Sequence, residues 1–167
     1  MKKASFVFSF LLVTVISSAQ NSVDTTAPYK RFPTVPPFKL LQIDSVSLIT
    51  RDNLKKHKPV LLILFNPDCD HCRHETEEII KHIDELKKVQ IIMAAMSKHR
   101  EMKEFYVKFK LDEFKNIRVG RDFQNLLPSF YKVGSLPYLA MYDKKGNLLS
   151  TFEGTMNIED LINVFSK

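Results

Sequence analysis

The stretch NPDCDHCRHE, Asn66 to Glu75, holds both cysteines of the chain in a Cys-x-x-Cys spacing. His71 and His74 lie among them, with Asp68, Asp70 and Glu75 as the nearby acids. Three chemistries compete for such a constellation: a soft-metal site, a redox-active dithiol, or a short structural staple. Cys69, Cys72, His71 and His74 are ligand types that suit zinc or copper. His71, however, lies inside the Cys-x-x-Cys, where its ring is badly placed to reach an ion shared by both sulfurs. His57, His82 and His99 show no paired spacing. A staple closing so short a loop removes little chain entropy. The redox reading is therefore preferred, and no metal and no cofactor is expected. Copper handling and a non-enzymatic binding module remain as alternatives.

A dithiol needs an element that makes one sulfur reactive. The run PVLLILF, Pro59 to Phe65, is continuously apolar, as expected of a strand buried on both faces of a sheet. Asn66-Pro67-Asp68 ends it. From Cys69 to Lys88 the pattern shifts to a helical one, with Cys72, Thr76, Ile79, Ile83 and Leu86 on one face. Cys69 thus falls where a strand hands over to a helix, and the free N–H groups and dipole there favour a thiolate. Cys72 falls one turn in, on the apolar face. The expected roles are that Cys69 attacks and Cys72 resolves the mixed disulfide. His71, as imidazolium, would support the thiolate, while Asp68 and Asp70 oppose it. Glu75 lies on the same side of the helix as Cys72. Two readings stay open for it: a proton relay for Cys72, or a solvated first-turn acid. His74, Glu77 and Glu78 read as exposed.

The remaining pattern supplies the frame. Phe38 to Ile43 and Val46 to Ile49 read as short strands around Asp44-Ser45, and Asp52 to His57 as a helical turn. Ile91 to Met96 is a second buried strand and Glu101 to Lys110 a helix. Ile117 to Val119 is a short strand, followed by a helix from Phe123 to Val133. PYLAMYD and LLSTFEG form an antiparallel pair turning at Lys145-Gly146-Asn147, and Asn157 to Phe165 is a closing helix. This order asks for an α/β fold: a mixed central sheet with helices on both faces and an N-terminal strand pair.

The chain has 167 residues and a formal net charge of +6. Its basic residues are interspersed with acids and form no stripe with aromatics, which disfavours nucleic-acid binding. Lys2 and Lys3 precede an apolar run from Ala4 to Ile16, shorter than the ~20 residues a membrane span needs. Ser17-Ser18-Ala19 supplies small residues for cleavage, so 1–19 reads as a secretory signal peptide. An uncleaved membrane anchor is the alternative. Residues 20–35 read as an extended, proline-containing leader and 36–167 as the folded domain. Export places the cysteines where disulfides persist.

A buried strand, a Cys-x-x-Cys at a helix start and the later segment GSLPYLAMYDKKGNLL together resemble the thioredoxin fold. The pattern is most similar to the exported TlpA/ResA-like thiol-disulfide oxidoreductases, from Pro36 to Lys167. PPFKLLQIDSVSLIT resembles that group's N-terminal strand pair, and CDHCRHE its C-x-x-C-x-x-E pattern. GSLPYLAMYDKKG resembles its Gly–Pro segment with one residue more between Gly134 and Pro137. The resemblance implies that Glu75 is a buried glutamate and that Pro137 follows a cis peptide facing the dithiol. It implies that the backbone of Leu136 pairs with extended substrate, and that this loop keeps metals off the sulfurs. It also implies a monomer working on proteins with disulfides or thiols and recharged by a membrane thiol donor in the periplasm. The family's tryptophan before the first cysteine is Asp68 here, and the buried acid of cytoplasmic thioredoxins is Ile63. Thr76 and Glu77 stand where a proline often follows the glutamate. His71 resembles the corresponding residue of disulfide oxidases and isomerases, so oxidation or isomerisation stands beside the preferred reduction. A peroxidase is disfavoured by the lack of a T-x-x-C motif.

Overall fold

The computed structural model describes residues 27–166. The signal-peptide segment expected at 1–19 and the first part of the leader lie outside the described residues. No helix among the described residues is long and apolar enough to cross a membrane.

Strand β3 (Val60–Phe65) is buried at every position. The reason is its place in the sheet: it pairs in parallel with β4 (Gln90–Ala95) on one side and antiparallel with β6 (Tyr138–Tyr142) on the other. Successive side chains then feed two cores. Leu61, Ile63 and Phe65 join Ile91, Met93, Leu139 and Met141 on one face. Val60, Leu62 and Leu64 join Ile92, Ala94, Ala140 and Tyr142 on the other. Each fully buried side chain of this size contributes about 1.5–3 kcal/mol. No polar substitution along β3 could be offset by a surface contact.

Strand β5 (Ile117–Arg121) continues the parallel set beside β4, while β7 (Leu148–Glu153) pairs antiparallel with β6. The pair β1 (Lys39–Gln42) and β2 (Leu48–Thr50) adds antiparallel to the far side of β5. The complete order is β2-β1-β5-β4-β3-β6-β7 in one 7-stranded sheet. Helices α2 (Asp70–Lys81), α3 (His99–Lys108) and α5 (Ile158–Phe165) bury Ile79, Met102, Phe105 and Leu161 against one face. Helix α4 (Leu126–Tyr131) buries Leu127 and Tyr131 against the other. The mixed sheet, the helices on both faces and the N-terminal strand pair agree with the expected architecture.

Several bounds differ from the sequence pattern, each for a local reason. The helix expected to reach Lys88 stops at Lys81. Beyond it the chain folds into tighter turns, with Ile83 N–H donating to Ile80 O and Lys87 N–H to Asp84 O. The Asn116 amide binds the carbonyls of Leu86 and Val89. Leu86 still reaches the core, so the apolar spacing survived while the helix did not. The helix expected from Phe123 begins only at Leu126, because Asn125 is left-handed and the buried Asp122 carboxylate accepts Leu126 and Leu127 N–H. The helical turn expected over 52–57 is a 3-10 turn at Arg51–Asn53.

Within the leader expected to be extended over 20–35, the described part departs from that at Pro28–Arg31 only, while Thr34 forms a β-bridge with Asn147. Pro28–Arg31 forms a helical turn, α1, with proline at its start, where a missing N–H costs nothing. Tyr29 meets Tyr131 with ring centroids 5.8 Å apart. Val35 is buried, and Val35 N–H donates to Gly146 O while Leu148 N–H donates to Pro33 O. Apolar burial and backbone pairing thus tie this segment to the sheet.

The β1–β5 contact sets a sharp steric limit. A Cβ on Gly120 would lie 2.7 Å from Leu40 Cβ and 3.2 Å from Leu41 O. Gly120→Ala is therefore expected to destabilise the protein by about 1–3 kcal/mol through overpacking. Urea denaturation checks this; an unchanged midpoint would mean that β1 moves aside freely.

Candidate active site

Phe65 ends β3 and the chain turns within Asn66-Pro67-Asp68. Cys69 N–H donates to Asn66 O at 3.0 Å, and Asp68 N–H to Asn66 Oδ1 at 3.0 Å. This turn delivers Cys69 to the N-cap of α2, with extended backbone, and its Sγ accepts Cys72 N–H at 3.4 Å. A helix start leaves its first N–H groups without intrahelical acceptors, and a side-chain acceptor usually satisfies one. Here the acceptor is the sulfur. Any negative charge that develops on Sγ in thiol exchange meets an N–H donor and the positive end of α2. The helix start is locked from outside by Arg73, whose guanidinium donates to Pro67 O at 2.7 Å and pairs with Asp70.

Both cysteines are free thiols with different surroundings: Cys69 is half-buried and Cys72 buried. Burial, above all, pushes the Cys72 thiol up to about 12, with the neighbouring Cys69 and Glu75 adding to it. At neutral pH Cys72 is a protonated thiol. The two sulfurs are thus divided into a reachable one and a protected one, as the helical spacing predicts.

Glu75 is 1% exposed, which settles the two readings of its place: it is buried. Its Oε2 accepts Met156 N–H at 2.9 Å. Burial raises its carboxyl to about 7, against the lowering effect of that hydrogen bond. A buried carboxyl that is half ionised near neutrality, one turn beyond a buried thiol, can take up and return a proton.

The Leu136–Pro137 peptide is cis. Pro137 is buried and Leu136 half-buried, and the Cys69 thiol lies 3.8 Å from Leu136 O as a donor. Among the described residues the Leu136 N–H has no hydrogen-bond partner. It is thus available to pair with an incoming backbone. The structure brings Cys69, Cys72, Glu75, Leu136 and Pro137 together. It leaves His71 and His74 exposed, and no hydrogen bond links His71 to either sulfur among the described residues. No group of three or more His, Cys, Asp or Glu among them is placed to share a metal ion.

Two contacts escape the sequence pattern. The β7–α5 connection supplies Met156 N–H to Glu75, and Glu153 reaches the loop before Pro137. Neither follows from local spacing, because both join segments far apart in the chain.

The raised carboxyl of Glu75 makes stability depend on pH. Below its ordinary 4.5, folded and unfolded chains both hold the proton. Between 4.5 and about 7 the unfolded chain loses it while the folded one keeps it, so stability falls as pH rises. The full loss is on the order of 3 kcal/mol above that window. Glu75→Gln is expected to flatten this part of the profile for the reduced protein. Denaturation midpoints at pH 4.5 and pH 8 check it; an equal slope in the variant would assign the dependence to other groups.

Residues 49–167 match the family model described as a thioredoxin-like domain. No curated protein matches the sequence. Several solved structures are similar in fold. One is a secreted disulfide oxidoreductase of Mycobacterium tuberculosis homologous to E. coli DsbE, at 18% identity over 77% of this chain and 93% of that one, with TM-score 0.64. Another is StoA from Bacillus subtilis, at 19% identity over 79% of this chain and 98% of that one, with TM-score 0.60. A third is the exposed lipoprotein thioredoxin Etrx1 of Streptococcus pneumoniae, at 24% identity over 75% and 97%, with TM-score 0.58. Because the matched segment runs from β2 to the C-terminus and contains both the dithiol and the cis-proline loop, the chain belongs to the thioredoxin-like domain family.

Proposed function

We propose that the protein is a thiol-disulfide oxidoreductase that reduces protein disulfides in the cell envelope. The observation that carries this reading is the sulfur of Cys69. It is half-buried at the helix start, with a helix N–H at 3.4 Å and the Leu136 carbonyl at 3.8 Å, and a protected thiol follows one turn behind.

The reaction follows from that division. The Cys69 thiolate attacks one sulfur of a substrate disulfide; an S–S bond to the substrate forms and the substrate's own S–S bond breaks. The departing substrate sulfur takes a proton and leaves as a thiol. Glu75, as carboxylate, accepts the proton of Cys72. The Cys72 thiolate then attacks Cys69 Sγ, closing the Cys69–Cys72 disulfide and releasing the second substrate sulfur, which takes a proton. Two electrons have passed from the dithiol to the substrate. The thiol of Cys72, held near 12, is a poor leaving group in the reverse direction unless it is reprotonated, and Glu75 at about 7 can return that proton. His71, exposed beside the pair, would support the Cys69 thiolate when it carries a charge.

Export is supported by the leader of Lys2, Lys3 and the apolar run to Ile16, and by similarity in fold to a secreted oxidoreductase and an exposed lipoprotein. The clients on this reading are envelope proteins with disulfides, and a membrane thiol donor returns the electrons. The protein works as a monomer.

Equilibration against a glutathione series tests the direction. A potential between about −270 and −180 mV is expected, and a value near about −120 mV would make the protein an oxidant instead. Cys69→Ser is expected to abolish insulin reduction. Cys72→Ser is expected to accumulate a mixed disulfide with substrate. Undiminished reduction by Cys69→Ser would remove the enzyme reading, and stoichiometric copper bound by the wild type would favour metal handling.

A further inference from the structure

The loop that brings Leu136 to the dithiol has little backbone support of its own. It leaves α4 through Lys132, which is left-handed with φ 52°, and Val133 N–H still reaches back to Pro128 O. After that, among the described residues, the N–H groups of Gly134 and Ser135 find no backbone acceptor. Both turn to one side chain, Glu153, at the end of β7. Its carboxylate accepts Ser135 N–H at 3.0 Å, Ser135 Oγ–H at 3.2 Å and Gly134 N–H at 3.4 Å. The position before Ser135 is fitted to this contact. A Cβ on Gly134 would come within 3.0 Å of Glu153 Oε2. The next residue of the strand end, Gly154, donates its N–H to Pro137 O at 2.8 Å. The loop is thus gripped on both sides of Leu136, by a side chain before it and by backbone after it.

An exposed glutamate at a strand end usually gains nothing from its neighbours. This one collects hydrogen bonds in which the acceptor is charged, the stronger class. All of them fall on the two residues before the backbone that faces Cys69. We propose that Glu153 is a positioning residue for substrate: its carboxylate fixes Gly134 and Ser135 so that the Leu136 backbone is presented to an extended polypeptide beside Cys69. This rests on the oxidoreductase reading and adds to it a determinant of preference for polypeptide disulfides over small ones. A small disulfide has no backbone to pair, so it needs only Cys69 and Cys72, which Glu153 does not touch.

Turnover of two oxidised substrates tests this, insulin and 2-hydroxyethyl disulfide, together with the iodoacetamide rate of Cys69 and the thermal midpoint. Glu153→Ala is expected to raise KM for insulin about tenfold while leaving kcat, the small-disulfide rate and the alkylation rate within about twofold. Glu153→Gln, which keeps one carbonyl acceptor, is expected to recover most of the loss. Ser135→Ala, which removes only the hydroxyl bond, is expected to raise KM less than Glu153→Ala does. Equal losses on both substrates, or none on either, with active wild-type protein would overturn the role of Glu153 and leave the oxidoreductase reading standing. Wild-type protein inactive on both disulfides would remove the oxidoreductase reading, and the Glu153 role with it.

Discussion

A helix that starts where a buried central strand ends has amide protons with nowhere to go, and here a sulfur takes one of them. That single contact, Cys72 N–H to Cys69 Sγ, explains why the rest of the molecule is arranged as it is. The sulfur must be held at the helix start, so β3 is anchored by burial on both faces and the turn after it is fixed by Asn66 and Arg73. It must be reachable, so the same turn leaves Asp68 and Asp70 exposed around it. Its partner must not compete for the first attack, so Cys72 is sunk into the core between α2 and β3, where ionisation is costly.

The energetic arrangement behind the helix start is one of stored imbalance. Glu75 and Cys72 share a dry environment that disfavours charge on either. The glutamate accepts one backbone hydrogen bond, too little to offset its burial, and so it ionises near neutrality rather than in the usual carboxylate range. A fully solvated acid would be too weak a base to matter for a thiol this high, and an uncompensated one would stay protonated throughout. Met156 N–H sets the balance between these limits, and it comes from the connection that begins with Gly154, directly after Glu153.

The sequence reveals those parts of the molecule whose logic is local. β3 and β4 are readable because strands covered on both sides need unbroken apolar runs. The roles of Cys69 and Cys72 are readable because they depend on one turn of helix. Helix ends are harder. His82 to Lys88 keeps the apolar spacing of a helix, yet Asn116, far along the chain, binds the carbonyls of Leu86 and Val89. The delayed start of α4 likewise depends on Asp122 folding back on its own following residues. Spacing alone leaves the burial of Glu75 open, because what covers it is the β7–α5 connection. In segment 27–35 the prolines suggest an extended chain, but Pro28 starts a helical turn, and Tyr29 and Val35 supply the apolar contacts that hold it.

One further property follows from the tyrosines. The chain contains no tryptophan, so its intrinsic fluorescence comes from tyrosine alone. Tyr29, Tyr131, Tyr138 and Tyr142 gather on the sheet face away from α2, with Tyr131 hydroxyl bonded to that of Tyr142 and its ring 5.0 Å from Tyr138. Four of the five tyrosines therefore report the seating of α1 and α4, and only Tyr106, packed against the face that holds Cys69 and Cys72, is placed to sense the oxidation state of the sulfurs.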